Sequence, residues 1–309
     1  MLALDDLLAR PAFAVDGEIL TWREVIDAAV DDGEWEIVRR AALAAMTTMP
    51  QLSKAVASAA DARVLAWRRE RRLLSFDDTA EWFARWGVEV DEWVEHIRRQ
   101  VAAARLPLPA ERTVDPTAVA RAEWIEAVVS GALEAAANRH AERLAAQAEP
   151  GTGAPADAIE HIAREASAPN RIAAFVEARR LPWTRVRFRR VLLADEDVAQ
   201  ELAFALRVDR RPLDDVAADA ELTVEVVETD LEAIPEELRS RLAGARPGDV
   251  VGPAPFAGQI VVMVVETRQE PAADDPTTAA RASALLRERA LRAVVARHVR
   301  WLDPALASA

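Results

Sequence analysis

The sequence predicts an α+β protein, with helices in both outer parts of the chain and a small sheet in its second half. Apolar residues recur at helical spacing through most of residues 1–180 and again after residue 275. The two most β-prone runs, VRFRRVLL and IVVMVV, lie between residues 186 and 265. These observations divide the 309 residues into four predicted parts: a helical domain (1–106), a helical connector with linkers (107–180), a mixed domain (181–270) and a C-terminal helix (271–309).

The first part is predicted to be a series of helices. Thr21 and Glu24 have the spacing of a capping box, and Ser75 and Asp78 begin a later helix in the same way. Tryptophans are concentrated in the helical parts, where helical spacing favours core packing over an exposed surface that binds peptides. They are Trp67, Trp82, Trp86, Trp93 and Trp124.

Two proline-containing stretches, LPLPAERTVDP and EPGTGAPAD, are predicted to be linkers on either side of a helix over 117–148. A last helix is expected to begin at Asp275-Pro276 and to run through Trp301. It carries one apolar stripe, formed by Leu291, Val294, Val295, His298 and Leu302.

The mixed domain is predicted to have the order strand, helix, helix, short strand, strand. The first strand covers VRFRRVLL, and ADEDVAQELAFAL follows it with helical spacing. Pro235 begins a second helix that Gly244 ends, and Gly252-Pro253 interrupts the short strand before IVVMVV.

Composition limits the classes of function. The formal net charge of −13 argues against nucleic acid as the main partner. The absence of cysteine excludes disulfides and thiolate metal sites, and no histidine pair has the spacing of metal ligands. His161 and Glu165 are one helical turn apart, which could be half of a metal site. A solvated pair of side chains on one helix explains this spacing better. We therefore expect no metal and no cofactor. No run of 18 apolar residues and no basic leader is visible, so we expect a cytoplasmic protein without a membrane partner.

The phrase LAGARPGDVVGPAPFAGQIVVMVVE resembles the end of the parvulin (PpiC) family of peptidyl-prolyl isomerases, and FRRVLLADEDVAQELAFAL is similar to the family's first strand and helix. The resemblance covers residues 183–270, and the helical part is similar to the N-terminal domain of SurA-like chaperones. It implies a multi-helix SurA-N-like domain plus one parvulin-like βααββ module. In SurA-like chaperones a C-terminal helix packs back on the N-terminal helices, and we expect the same closure here.

The parvulin-like module departs from the family at its usual site. Arg190 stands where the family has its first histidine, and Gln259 and Ile260 stand where it has the second. The glycine-rich middle loop is replaced by ELTVEVVETDLEAI. These departures predict a degenerate member that keeps the scaffold of a peptide-binding groove. Its similarity to PpiC-related proteins of peptide maturation systems suggests a ribosomally synthesised precursor peptide as the partner.

Three hypotheses follow for the function. The first is a non-catalytic chaperone that binds extended or unfolded polypeptide. The second is an active isomerase, because twisting a prolyl amide past a barrier of about 18–20 kcal/mol requires no acid or base. The third is a peptide-modifying enzyme that reuses the groove, for which the sequence offers no nucleophile. No oligomeric state is predicted.

The expected peptide-binding residues are Phe188, Arg190, Phe256, Ile260 and Met263. Alternation along a strand places Phe188 and Arg190 on one face, but a register error of one residue inverts the faces of the last strand. The resemblance to the family favours the face of Arg190 and Ile260, so that Met263 is the weakest member. Charge is also segregated: arginines without acids occupy 179–190, and acids dominate 191–240. This pattern fits either a peptide of mixed charge or an edge strand protected by its charges.

Overall fold

The computed structural model describes residues 3–47, 54–104, 115–151 and 157–306. The chain forms two compact units. The first, here called the helical unit, comprises residues 1–162 and 289–309, and the second, the sheet unit, comprises residues 163–288. Much of the two predicted linkers, residues 106–114 and 152–156, lies outside the described residues.

The elements confirm the predicted α+β class. The first half contains α1 (Leu4–Leu8), β1 (Pro11–Val15), β2 (Glu18–Thr21), α2 (Trp22–Asp31), α3 (Glu36–Thr47), α4 (Lys54–Glu70), α5 (Phe76–Arg85), α6 (Val90–Ala103), α7 (Pro116–Ser130) and α8 (Ala132–Ala148). The second half contains α9 (Ala158–Ala166), α10 (Pro169–Ala178), β3 (Arg185–Leu193), α11 (Glu196–Arg207), α12 (Leu213–Asp219), β4 (Glu225–Asp230), α13 (Glu236–Ala243), β5 (Val250–Phe256), β6 (Gln259–Gln269), α14 (Pro276–His298) and β7 (Val299–Trp301). Within the described ranges, no helix is long and apolar enough to cross a membrane.

An aromatic core holds the helical unit together. The rings of Trp67 and Phe83 stack with their centroids 5.2 Å apart, and Trp22 lies 5.5 Å from Trp86. Four of the five tryptophans named above are buried, and Trp82 is partly exposed at the edge of the same cluster. The core assignment of these tryptophans is therefore confirmed. The predicted capping box is present at the start of α2, and Ser75 and Asp78 cap the start of α5 as predicted.

The end of the chain joins the N-terminal strands. The last helix ends at His298 rather than continuing to Trp301, because residues 299–301 form β7, which pairs antiparallel with β1. Asp303 is 2% exposed and accepts hydrogen bonds from Arg10 at 2.7 Å and from the indole of Trp22 at 2.9 Å. These contacts of β7 and Asp303 tie residues 299–303 to the start of the helical unit.

The sheet unit contains an antiparallel sheet with the strand order β4-β3-β6-β5. Two elements between the first predicted helix and Pro235, α12 and β4, were missing from the predicted order. The polar sequence EVVETD of β4 hides its strand character, because it is an edge strand whose acids face the arginines of β3.

Each face of this sheet is covered by helices. On the first face, even-numbered residues of β3 and odd-numbered residues of β6 pack with α13 and the turn before it, in a cluster that includes Phe188, Val261 and Met263. On the second face, Val191 and Val262 pack with α11 and α12. The register of β3 against β6, with Arg190 opposite Met263, fixes which side chains share a face.

Candidate functional site

The first face of the sheet brings together four of the five predicted binding residues. Phe188 and Met263 belong to its apolar cluster, and they are only 4% and 1% exposed. Phe256, at the end of β5, is partly buried and packs against the same cluster. Arg190 follows Phe188 by two residues on β3 and so lies on the same face. Together they form an apolar floor with one ring and one guanidinium at the edge, here called the Phe256 site.

Ile260 lies on the other face. Its side chain packs in the cluster that contains Leu193 and Val262, under α11 and α12. The expectation that Ile260 shares the face of Arg190 is therefore wrong, and Met263, the weakest candidate, is the residue directly opposite Arg190. The physical reason is the two-residue period of a strand, since moving the alignment by one residue exchanges every side chain between the faces.

Arg190 is held between a carboxylate and a ring. Its Nη2 atom lies 2.7 Å from Oε2 of Glu225, and its Nε donates to the same oxygen at 2.8 Å. Its guanidinium carbon lies 5.1 Å from the centre of the Phe256 ring, within the range of a cation–π contact. The Arg190 side chain is 23% exposed, so part of it remains accessible beside the ring.

The strand register places these groups. Arg190 is the direct partner of Glu225 across β3 and β4 and of Met263 across β3 and β6. Cross-strand partners have neighbouring side chains, so the ion pair follows from the pairing of the strands. The pairing of β5 with β6 changes register between Val251 and Ala254, and the part of β5 after this shift reaches the site.

The segregated charges form ion pairs between neighbouring elements. The arginines of β3 each contact acids of neighbouring elements: Arg185 with Glu228 and Asp230, Arg187 with Glu266, Arg189 with Asp214 and Glu266, and Arg190 with Glu225. These ion pairs connect β3 with the elements beside it, mainly β4 and β6. Arg190 is the arginine of this strand that also contacts an aromatic ring.

The Phe256 site combines apolar and polar groups. It offers an apolar floor, the partly exposed ring of Phe256, and the donors and acceptors of the Arg190–Glu225 pair. In the part of the chain that the structure describes, no group of three or more histidine, aspartate or glutamate side chains could hold a metal ion.

Glu225 is a residue of this site that the sequence interpretation did not identify. Its signal was present in the β-branched residues of TVEVVETD, which favour a strand although they do not alternate with polar residues. An acid opposite the arginine run could have been aligned with Arg190 once this segment was recognised as a strand.

No protein-family model matches the sequence. No curated protein matches it either. Among solved structures, the chain is similar to the foldase protein PrsA from Streptococcus pneumoniae, with 9% identity, 95% of each chain covered and a TM-score of 0.28. It is also similar to a structure of the SurA-like chaperones PEB4 and Cj1289 from Campylobacter jejuni, with 10% identity, 94% of this chain and 99% of that chain covered, and a TM-score of 0.21.

Proposed function

We propose that the protein binds extended or unfolded polypeptide at the Phe256 site and acts as a chaperone without catalysing a reaction. The observation that carries this proposal is the partly exposed ring of Phe256, which lies over the buried floor of Phe188 and Met263 and is flanked by the Arg190–Glu225 pair. A partly exposed ring on an apolar floor is suited to the side chain of a proline or an aliphatic residue.

The polar groups beside the ring fit the main chain of such a ligand. Arg190 retains donors that can reach a peptide carbonyl, and Glu225, whose side chain is 48% exposed, can accept from a peptide N–H. The adjacent strand β4 is at the edge of the sheet, and Val226 on it is 56% exposed. Extended peptides often bind by adding a strand to such an edge, which would align a ligand along β4.

The identity of the ligand forms the finer part of the proposal. We propose a ribosomally synthesised precursor peptide in the cytoplasm, on the strength of the resemblance of residues 183–270 to PpiC-related proteins of peptide maturation systems. Co-purification of the protein with a tagged candidate precursor from the cytosolic fraction would support both statements. Recovery only from a membrane or exported fraction would contradict the location.

Calorimetric titration with an extended peptide tests the binding proposal. The probe is a twelve-residue peptide with two Xaa-Pro bonds flanked by leucine, which cannot form a stable fold of its own. Phe256→Ala should weaken its affinity by about tenfold, because the ring supplies the exposed apolar contact. The control is Phe76→Ala in the helical unit, which removes a ring that is 65% exposed and should leave the affinity unchanged. Equal affinity of both variants and the unaltered protein would overturn the proposal.

A further inference from the structure

Two adjoining cavities lie where α11 ends and β5 begins. One has a volume of about 550 Å³ and the other of about 470 Å³. They share Arg207, Asp249 and Val250 in their walls, so they adjoin on either side of Arg207. We call these two adjoining cavities together the arginine groove. None of the residues of the Phe256 site lines it.

The charge of the arginine groove is opposite to that of the whole chain. The sequence has 52 acidic and 39 basic residues, excluding histidine. Among the described residues that line the groove, Asp249 is the one acid. Its carboxylate accepts a hydrogen bond from the backbone N–H of Arg246 at 2.7 Å. The lining arginines are Arg189, Arg207, Arg210, Arg211 and Arg241.

Three of these arginines form no ion pair with a carboxylate in the described part of the chain. Arg189 and Arg211 have acidic partners in Asp214 and Asp219. Arg207, in contrast, donates to the backbone carbonyls of Val250 and Gly252 and pairs with no acid among the described residues. Arg210 and Arg241 are exposed and have no ion-pair partner within the described ranges of the chain.

An apolar surface borders this charge. Phe204 and Val208 are 59% and 60% exposed, although both are large hydrophobic side chains. They are four residues apart at the end of α11, where the N–H of Val208 bonds to the carbonyl of Phe204, so they lie on one side of the helix next to Arg207. The combination of an exposed ring with unbalanced guanidinium groups is typical of a surface that binds a partner.

We infer that the arginine groove docks an acidic segment of a polypeptide that also carries an apolar side chain. The planar guanidinium groups match carboxylates, and Phe204 with Val208 offers contact for the apolar residue. Long polyanions such as nucleic acids fit less well, because the net charge of −13 repels them outside this patch. The inference does not depend on binding at the Phe256 site.

The test uses fluorescence anisotropy with a ten-residue peptide that contains four glutamates and one leucine. A matched peptide carries glutamine in place of each glutamate. The unaltered protein should bind the acidic peptide, and raising the salt concentration should weaken this binding, because the contacts are exposed charge pairs. The variant Arg210→Gln/Arg241→Gln should bind the acidic peptide about tenfold more weakly than the unaltered protein.

The charge-matched control is Arg164→Gln/Arg171→Gln, which removes two exposed arginines of the sheet unit that do not line the groove. It should keep the original affinity. Phe204→Ser should weaken binding without changing its salt dependence. Equal loss in both double variants, equal binding of the glutamine peptide, or tighter binding of inorganic phosphate or a single-stranded oligonucleotide at the groove would overturn the inference.

Discussion

The Nη2 atom of Arg190 lies 2.7 Å from Oε2 of Glu225, and the same guanidinium covers the ring of Phe256 with 5.1 Å between its central carbon and the ring centre. Arg190 thus connects the edge strand β4 with the end of β5 across the face of the sheet. Its exposure leaves the ion pair within reach of solvent. The pair is consequently better suited to contact a ligand than to stabilise the fold.

The first prediction concerns the energy of this pair. A double-mutant cycle with Arg190→Ala and Glu225→Gln should give a coupling energy below about 1 kcal/mol, because exposed ion pairs contribute little to stability. Urea denaturation of the four proteins measures it. Arg190→Ala should nevertheless weaken binding of the proline-containing peptide, whereas Arg187→Ala, on the same strand and paired with Glu266, should not. A loss of stability well above this range would make Arg190 a structural residue instead.

The second prediction concerns catalysis. Because Arg190, Gln259 and Ile260 occupy the positions where the resemblance implies histidines, we expect little or no acceleration of Xaa-Pro isomerisation. A protease-coupled assay with a prolyl tetrapeptide measures the rate, with an ordinary parvulin as the positive control. The uncatalysed reaction takes tens of seconds at 25 °C, so a modest acceleration is readily detected. Acceleration comparable to the control would show that the site is catalytic.

How much of this fold the sequence could predict depends on the kind of pattern. The helices of the first half and the strands β3 and β6 follow from periodicity, because each buries a continuous apolar face. β4 does not bury one, and its edge position is set by pairing with the arginines of β3, which is a contact distant in sequence. Charge-rich edge strands of this kind lack the local apolar alternation on which prediction relies.

The candidate site could also be predicted only in part, because some of its residues are placed by contacts between strands that are distant in sequence. Phe188 and Arg190 could be placed on one face from the alternation within β3 alone. The choice between Ile260 and Met263 required the register between β3 and β6, which a bulge between Arg187 and Phe188 shifts by one residue. No feature of the local sequence specifies such a bulge, so the face of β6 had to come from the structure.

The third prediction concerns Gly252, which lies at the irregularity between β5 and β6. Its φ angle is +109°, and a Cβ atom there would lie 2.4 Å from the backbone oxygen of Val261. Gly252→Ala should therefore lower the free energy of unfolding by more than about 1 kcal/mol. Gly258→Ala is the matched control, because Gly258 also has a positive φ of +80° but no atom within 4 Å of the added carbon.

Urea denaturation of these two variants separates the cost of backbone strain from the cost of the steric clash with Val261. Both alanines must adopt the left-handed region of backbone conformation, which costs about 1 kcal/mol in each case. The additional loss in Gly252→Ala then measures the contact with the backbone of Val261. Equal losses in the two variants would show that the sheet moves freely enough at this point to remove the collision.

The fourth prediction concerns Asp303 in the helical unit. Its carboxylate accepts from Arg10 at 2.7 Å and from the indole of Trp22 at 2.9 Å, and its side chain is fully buried. Asp303→Ala should destabilise the protein by about 2–4 kcal/mol, because it leaves a buried indole N–H and a guanidinium without their acceptor. Thermal unfolding followed by tryptophan fluorescence measures the loss.

A surface carboxylate provides the control for Asp303. Asp5 pairs with Arg23 at 2.9 Å, but its side chain is 90% exposed, so Asp5→Ala should change stability by less than about 0.5 kcal/mol. If Asp303→Ala were equally harmless, the attachment of residues 299–303 to β1 and Trp22 would contribute nothing to the helical unit.

The fifth prediction concerns the pH dependence of the helical unit. The hydrogen bond with Asp16 raises the pKa of His298 above its usual value of 6.5, and the bond with Glu149 adds to this shift against the opposing effect of burial. Nδ1 of His298 lies 2.9 Å from Asp16 and Nε2 lies 3.1 Å from Glu149, so the doubly protonated ring donates to both carboxylates. Arg297 holds the pKa of Glu149 below its ordinary value, which keeps this carboxylate charged at neutral pH.

The sign of the effect follows from proton linkage. Because the folded state binds the proton on His298 more tightly than the unfolded state, the stabilisation is complete below about pH 6.5 and is lost as the pH rises through the higher folded pKa. The melting temperature should therefore fall as the pH rises above about 6.5, and His298→Gln should flatten this part of the profile. Asp16→Asn should reduce the slope in the unaltered background and have little effect on it in His298→Gln. A profile in His298→Gln as steep as that of the unaltered protein would assign the pH dependence to another group.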